Sequence, residues 1–239
     1  MSVKYLRKET IEAASRRLLL AYHERFGPDG YLPIPVEEIL ESHLGLSLEF
    51  DDLRRRLGVA DVLGATWVRE RRVVIDQSLD PTVDARKEGR YRFTIAHELG
   101  HWELHRYVFE DAPGQKSLFE HDTPPSIVCR TASRKDPMEW QADAFAGYLL
   151  MPRKVVTEVW ESIYGTLEPY RAADEFADLA QNVIGDAGQP VVGVAREVAR
   201  EFRVSGMAMQ IRLMEMGLII KKKRTPPFCG RNDFSLECL

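Results

Sequence analysis

The chain has 239 residues, of which 44% are hydrophobic and 29% charged, and its formal net charge is −4 at pH 7. A chain of this length and hydrophobic content can bury a sizeable core in one domain or slightly more. The negative charge argues against a polyanion as the main partner, and the lack of a signal peptide or a long apolar run predicts a soluble protein.

The N-terminal third is predicted to contain two helices and a small sheet. Residues 9–25 carry apolar side chains at helical spacing and are predicted to form a helix that packs over the core. A shorter helix is predicted at about residues 35–43, followed by an alternating strand at residues 46–50. Residues 64–68 and 73–76 flank a charged stretch, so they are predicted to pair as a β-hairpin. An exposed edge strand of this sheet could accept an extended peptide.

The most informative pattern is His-Glu-Leu-Gly-His at residues 97–101, which follows an apolar stretch. Residues four apart share one face of a helix, so His97 and His101 can both bind one metal ion. Two imidazoles favour zinc, whose catalytic sites use three protein ligands and leave a fourth position for water. Glu98 would lie beside that water, where a metallopeptidase needs its general base.

A second helical pattern offers the third ligand. It begins with Asp136 as N-cap and Pro137 at the first helical position, and it ends before Pro152. Glu139 and Asp143 then lie four apart on one face. This spacing fits a metal ligand followed by a carboxylate that accepts the other N–H of a ligating histidine. The spacing of Asp136 and Glu139 also fits a capping box, in which the glutamate would contact the helix backbone instead.

Two other histidines compete with Glu139 for the role of third ligand. His105 is four residues beyond His101, but the helix rise carries it about 12 Å from His97, too far for one ion to bind all three. His105 is therefore predicted to be a packed or hydrogen-bonded structural histidine. His121 lies in a loop-like stretch, and Glu139 is favoured over both histidines as the third ligand.

The stretch at residues 109–136 has the composition of a loop and is predicted to wall and cover the cleft between the two metal-binding helices. Its His121, or Tyr148 on the second helix, is a candidate donor to a tetrahedral oxyanion, although a helical tyrosine also fits ordinary packing. Cys129 could add a fourth soft ligand, but burial as a small apolar residue is favoured. The three cysteines are an odd number without framework spacing, which predicts reduced thiols in the cytoplasm.

The C-terminal region is predicted to form a helix-turn-helix-like pair. One helix opens at Pro190, residues 204–205 form a turn with a cap, and the second helix continues to Gly217. DNA contact is less expected than packing or substrate docking, although the basic residues 221–224 could hold phosphates. The tail at residues 225–239 is predicted to be loosely ordered. The face of the second helix predicted to be exposed is mixed and weakly basic: Met207, Met209, Gln210, Arg212 and Glu215.

Two motifs in this order resemble those of the ImmA/IrrE family of metallopeptidases: RFTIAHELGH at residues 92–101, and EWQADAFA at 139–146 followed by LLMP at 149–152. The resemblance spans roughly residues 35–220. It implies that Glu98 is the catalytic base and that the substrates are helix-turn-helix repressors. The sensor-like C-terminal domain of some members is not expected here. The implied zinc ligands are His97, His101 and Glu139.

Together these patterns predict an α+β fold: a zincin-like metallopeptidase core of a small sheet and the HExxH helix, with a helical helix-turn-helix-like C-terminal module. The predicted boundaries are residues 1–165 for the peptidase domain with its N-terminal helix, 166–220 for the module and 221–239 for the tail. The predicted function is that of a cytoplasmic zinc endopeptidase that cleaves a helix-turn-helix repressor. The alternative is a non-catalytic zinc-dependent regulator that binds DNA or a partner protein through the module.

Overall fold

The computed structural model describes residues 3–27, 32–110, 124–130, 136–172 and 191–220. Over these residues the protein has the predicted mixed α+β fold, in which a small sheet and several helices surround two central helices. The α-helices are α1 Lys8–Phe26, α2 Val36–Glu38, α3 Leu53–Leu57, α4 Glu88–His105, α5 Tyr107–Glu110, α6 Pro137–Leu150, α7 Arg153–Tyr164, α8 Gly193–Phe202 and α9 Gly206–Glu215, and α2 continues as a π-helical turn at Ile39–His43. The strands are β1 Ser47–Asp51, β2 Val62–Trp67, β3 Arg72–Asp76, β4 Ile127–Arg130, β5 Tyr170–Arg171 and β6 Ile219–Ile220.

A four-stranded sheet in the order β1-β3-β2-β4 forms one side of the core. β1 is parallel to β3, and β2 pairs antiparallel with β3 with Gly64 opposite Ile75, which confirms the predicted hairpin. β4 pairs antiparallel with the other side of β2 and places Cys129 opposite Gly64. The prediction of loop over the residues of β4 is wrong. Four strand residues among loop-like neighbours carry a weak local signal, and pairing with β2 is what stabilises them.

The two central helices, α4 and α6, pack directly against each other. α6 begins as predicted, because Asp136 accepts a hydrogen bond from the backbone N–H of Met138 and Pro137 occupies the first helical turn. The helices approach closely at Gly100, where an added Cβ would lie 3.0 Å from the Cα of Ala142. This approach brings the polar faces of both helices together.

The predicted N-terminal helix is confirmed as α1, which packs mainly against α6. Ile11 and Tyr22 on its inner face are fully buried. The helix ends at Gly27, whose φ of 96° is readily adopted only by glycine. Ahead of α1, Tyr5 stacks on Trp140 of α6 with ring centroids 5.6 Å apart. The N-terminal segment is therefore anchored on one of the two central helices.

The predicted C-terminal helix pair is present as α8 and α9, although α8 begins at Gly193 rather than at Pro190. Arg203 between the helices has a φ of 49°, which turns the chain sharply. Ser205 then caps α9 by accepting a hydrogen bond from the backbone N–H of Ala208.

The predicted exposed face of α9 is wrong at three positions. The side-chain oxygen of Gln210 accepts a hydrogen bond from the backbone N–H of Val192, and the Arg212 guanidinium pairs with the carboxylates of Glu12 and Glu215. Because Gln210 and Arg212 are polar, they were predicted to face solvent. In the core, however, their polar groups are paired with residues of other elements. The three buried residues are Met209, Gln210 and Arg212, at 0%, 2% and 2% exposure.

α7 packs through Val156 and Trp160, and β5 and β6 form a short parallel pair. None of the described helices combines the length and the apolar character needed to cross a membrane. The predictions for His121, for the basic residues 221–224 and for the tail at 225–239 lie outside the described residues.

Candidate metal site

One face of α4 carries His97 and His101, whose Nε2 atoms lie 2.9 Å apart. Glu139, from the first turn of α6, reaches the same point. Its Oε2 lies 3.4 Å from Nε2 of His97, and its Oε1 lies 3.2 Å from Nε2 of His101. Both carboxylate oxygens therefore face the buried imidazoles rather than forming a capping box, and Asp136 alone caps the helix.

The donor atoms of His97, His101 and Glu139 all lie within 4.8 Å of one another. Two donors bonded to one tetrahedral zinc ion at about 2.1 Å lie about 3.4 Å apart, so the separations of 2.9 and 3.4 Å suit a single ion. Two imidazole nitrogens with one carboxylate oxygen are also a donor set of catalytic zinc sites. The residues present therefore fit a metal ion.

The protonation states of the cluster also suit a cation. Burial lowers the pKa of His101 to about 4, so its imidazole is neutral at pH 7. Burial opposes ionisation of Glu139, but hydrogen bonds with His101 and His97 lower its pKa to about 2. Burial also lowers the pKa of His97, yet hydrogen bonds with the carboxylates of Asp143 and Glu139 raise it well above its usual value. The groups around His97 thus favour a positive charge, which a metal ion would supply.

Asp143, one turn after Glu139 on α6, contacts the other nitrogen of His97, with 2.9 Å between Nδ1 and Oδ1. An imidazole that binds a metal through Nε2 carries its proton on Nδ1 and donates it to such a carboxylate. The structure therefore places Asp143 where the spacing of four residues from Glu139 predicted it.

His101 is held by a longer chain of side chains. Its Nδ1 lies 3.1 Å from Nδ1 of His105, whose Nε2 lies 3.4 Å from the side-chain oxygen of Gln141. The Gln141 amide in turn donates to the carbonyl oxygen of Lys4 at 3.2 Å. When His101 uses Nε2 for a metal, every group in this chain can donate to the next one. His105 is thus a buried, hydrogen-bonded structural histidine, as predicted from its distance to His97.

Glu98 is fully buried between α4 and the sheet. Its Oε2 accepts a hydrogen bond from the Thr66 hydroxyl at 2.6 Å, whereas its Oε1 has no hydrogen-bond partner among the described residues. Gly64 leaves the space that this carboxylate occupies, because a Cβ there would lie 2.7 Å from Oε1. Burial raises the pKa of Glu98 to about 7, so the carboxyl group can accept and release a proton near neutral pH.

Strand β4 brings Cys129 to the same place. Its sulfur lies in a group with donor atoms of His97 and Glu98 that are all within 4.8 Å of one another. The side chain is 6% exposed, and burial raises the pKa of the thiol. The predicted burial of Cys129 is confirmed, but its neighbours include polar residues of the candidate site.

A cleft of about 880 Å³ opens beside these residues. Its lining residues come mainly from α4, α6 and α9, with Leu63 of β2 and Cys129 of β4. Ile211 of α9 is 60% exposed and lines this cleft. Tyr148 also lines it. Its hydroxyl donates a hydrogen bond to Glu215 at 2.9 Å, so its proton is already used in that bond. Other lining residues include Phe93, His97, Trp140 and Met207.

Three residues of the site escaped prediction from the sequence: Gly64, Thr66 and Gln141. Gly64 carried a usable signal, since a glycine inside a strand pattern often marks close approach by another group. Thr66 and Gln141 gave no such sequence signal, because threonine is common in strands and glutamine is common in helices.

A buried pair of histidines with a glutamate, on two crossing helices beside a second carboxylate of raised pKa, is a site of the metallopeptidase class. Residues 47–214 match the IrrE N-terminal-like domain of peptidases. The chain therefore belongs to this family of metallopeptidases, which confirms the resemblance of its motifs to ImmA/IrrE proteins. α1 precedes the matched residues.

The chain is also similar to a Mycobacterium tuberculosis transcriptional regulator of known structure, with a TM-score of 0.44 and 16% sequence identity. The similarity covers 92% of this chain and 49% of that protein, so this chain spans about half of its length. No curated protein matches the chain.

Proposed function

We propose that this protein is a zinc-dependent endopeptidase that cleaves a protein substrate, built on a zincin-like core. The observation that carries the proposal is that His97, His101 and Glu139 direct their donor atoms to one point. Glu98 places a carboxylate oxygen within 4.8 Å of His97 at the same site. Zinc is the proposed metal because two imidazoles and one carboxylate are a common catalytic zinc set.

The proposed roles divide the chemistry among residues of this chain. Asp143 and His105 would orient the two imidazoles, and Thr66 would hold one oxygen of Glu98. Glu98 would then accept a proton at its free Oε1 and deliver it to the nitrogen of the leaving amine. Zinc, when bound, would supply Lewis-acid activation of water and of the scissile carbonyl.

The proposed substrate is a helix-turn-helix transcriptional repressor, the class that the family resemblance implies. A polypeptide is supported by the cleft itself, which runs beside the histidines and has an apolar wall at Met207 and Ile211 of α9. An extended segment with apolar side chains would bury them against this wall, and apolar burial favours binding by about 25 cal/mol per Å². The helix pair would therefore serve substrate docking.

A non-catalytic regulator that binds DNA through α8 and α9 is less well supported. Gln210 and Arg212 would be natural base or phosphate contacts, but both are buried and hydrogen-bonded within the protein. Ile211, on the same helix, lines the cleft. A gel-shift titration at two salt concentrations would detect the steep salt dependence of phosphate contacts if this alternative holds.

The experiment compares wild type with Glu98→Gln, using a candidate helix-turn-helix repressor as substrate, mass spectrometry to follow cleavage and atomic absorption to measure zinc. We expect both proteins to carry one zinc equivalent, and the variant to lose cleavage by about 10²–10⁴-fold because an amide cannot accept the proton. His97→Ala should lose the metal, since two remaining ligands hold it poorly.

Glu103→Gln is the matched control, because Glu103 lies on the same helix and, within the described part of the chain, forms its ion pair with Arg106. It should keep both zinc and cleavage. A zinc-loaded Glu98→Gln protein that cuts as fast as wild type would remove Glu98 from the mechanism. Full zinc retention by His97→Ala would place the metal elsewhere.

A further inference from the structure

Arg212 of α9 is a buried cation at the edge of the cleft. Its side chain is 2% exposed, and its contacts reach α1, α6 and α9. Nε donates to the carbonyl oxygen of Met151, just after α6, at 3.0 Å, and the two terminal nitrogens pair with Glu12 of α1 and Glu215 of α9. The guanidinium carbon also lies over the ring of Tyr148 on α6, 4.6 Å from its centroid. This end of α9 is therefore joined to both α1 and α6.

Glu215 extends the contact between α9 and α1. Its carboxylate also accepts hydrogen bonds from Nζ of Lys8 at 2.8 Å and from the Tyr148 hydroxyl at 2.9 Å. α1, which carries Lys8 and Glu12, precedes the residues that match the family model, so the family match does not account for this contact. Four residues are here called the Arg212 cluster: Lys8, Glu12, Arg212 and Glu215.

Stability alone does not account for a buried ion cluster. Burying charges costs solvation energy, and well-packed apolar residues of similar volume are often at least as stable. A buried ion cluster can instead fix one arrangement of the helices that it joins. Lys8, Arg212 and Glu215 also line the cleft, so the arrangement that the cluster fixes is that of a cleft wall.

The part of α9 that precedes the cluster gives the cleft an apolar lining, formed by Met207, Ala208 and Ile211. From Gly206 to Glu215 the helix rises by about 14 Å. An extended peptide covers about 3.3 Å per residue, so about four residues can lie along this wall. Ile211 is 60% exposed and directly precedes Arg212 in the helix. The pairing of Arg212 therefore fixes the direction in which Ile211 points.

We propose, building on the peptidase function proposed above, that Ile211 selects a bulky apolar side chain of the substrate and that the Arg212 cluster positions Ile211 for this role. The substrate lies as an extended segment along α9, with the selected side chain against Ile211. Glu12 acts through Arg212 and not by contact with the substrate, so it is a positioning residue. Helix α1 thereby takes part in substrate selection.

The test uses tripeptide hydroxamates, because the hydroxamate group binds zinc directly and the measurement needs no cleavage. The set contains the triglycine hydroxamate and the three versions with one leucine. Calorimetry on the zinc-loaded full chain gives the ratio of glycine to leucine dissociation constants at each position. We expect wild type to prefer leucine at one position by at least about tenfold, since each buried methylene favours binding about fourfold. Ile211→Ala should lose most of this preference and keep its affinity for the triglycine hydroxamate.

Glu12→Gln should lower the preference for leucine by about 2–30-fold and keep the affinity for the triglycine hydroxamate, although Ile211 itself is unchanged. Glu9→Gln is the matched control, because Glu9 is an exposed residue of the same helix, and this variant should keep the preference. Tyr148→Phe is the second variant if Glu12→Gln does not fold. It removes one hydrogen bond to Glu215 and should lower the preference in the same direction.

Hydroxamates that bind without a preference for leucine at any position would overturn the proposal and leave the zinc site intact. A preference that stays unchanged in Ile211→Ala would remove Ile211 from substrate selection and also overturn it. A preference that stays unchanged in Glu12→Gln, or in Tyr148→Phe where that variant replaces it, would overturn the positioning role of the cluster. Wild type that takes up no zinc, or that binds none of the hydroxamates when loaded, would reject the metal site and with it both proposals.

Discussion

The carboxylate of Glu98 fills the space that a side chain at Gly64 would occupy. An added Cβ at residue 64 would lie 2.7 Å from Oε1 and 3.3 Å from the carboxylate carbon of Glu98. It would also lie 3.0 Å from a methyl group of Thr94, which limits where the carboxylate could move. The strand residue thus sets the position of the proposed base.

Gly64→Ala should reduce cleavage while leaving the zinc content unchanged. The new methyl group displaces the carboxylate of Glu98 from its hydrogen bond with Thr66, so proton transfer becomes less efficient. We expect at least about a tenfold loss of kcat, since a positioned base contributes about 10²–10⁴-fold. Cleavage kinetics and metal content are measured together. An unchanged kcat at full zinc loading would mean that the position of the carboxylate is not critical.

Gly100→Ala and Gly147→Ala should change stability in opposite directions. A Cβ at Gly100 meets the backbone of Ala142 at 3.0 Å and pushes α4 from α6, so we expect destabilisation of about 1–3 kcal/mol. Among the described residues, a Cβ at Gly147 meets only the flexible end of Met151, at 3.9 Å. Alanine there should stabilise the helix by up to about 1 kcal/mol. Urea unfolding of both variants measures the difference, and equal effects would contradict the close helix contact.

Asp143→Asn should weaken zinc binding by about 10–100-fold, the usual effect of losing a partner of a ligating histidine. The amide keeps the shape but loses the charge that faces Nδ1 of His97. Asp136→Asn is the matched control on the same helix, because asparagine caps helices as well as aspartate does. Competition with a chelator gives both dissociation constants. Equal zinc dissociation constants for the two variants would show that Asp143 does not contribute to zinc binding.

Gln141→Leu should also weaken zinc binding, by roughly tenfold, because His105 loses its acceptor and holds His101 less firmly. Gln210→Leu provides the comparison. Gln210 is equally buried and accepts a hydrogen bond from Val192, far along the chain from the histidines. Both variants should lose stability, and only Gln141→Leu should lose affinity for zinc. If both variants lose affinity for zinc to the same extent, the loss results from general destabilisation and not from the contact with His105.

The raised pKa of Glu98 should make the metal-free protein less stable as the pH rises toward 7. An unfolded glutamate ionises near pH 4.5, whereas burial holds the folded pKa at about 7. Between these values the folded state binds more protons than the unfolded state, so stability falls with pH and then levels off above 7. Glu98→Gln removes this slope. We expect the free energy of unfolding of the variant to exceed that of wild type by roughly 1–3 kcal/mol at pH 8 and by much less at pH 4. Parallel pH profiles in urea unfolding would contradict the assignment.

Local spacing was enough to predict the helices that carry the candidate site. His97 and His101 share a face of α4, and Glu139 and Asp143 share a face of α6, because helix geometry fixes neighbours at four residues. The structure brings all four together as expected from that geometry.

Features that depend on contacts between segments distant in sequence could not be predicted from local spacing. β4 has four residues and exists through its pairing with β2, and Arg212 is buried because Glu12 of α1 pairs with it. The chain of contacts behind His101 ends at the backbone of Lys4, so no motif around residues 97–101 encodes it. Such partners are set by the tertiary fold and leave no periodic pattern.

For the proposed peptidase activity, the position of α9 along the cleft would restrict which substrates can reach the metal site. A space of about 880 Å³ is of the size that holds small ligands, and a folded domain is many times larger. For the proposed activity, only a stretch of chain that has left its own fold could lie in the cleft beside His97. The cutting rate for a repressor would then follow how often its linker or terminus opens, a property of the substrate's own local unfolding equilibrium. Selectivity would thus arise as much from the mobility of the target as from its sequence.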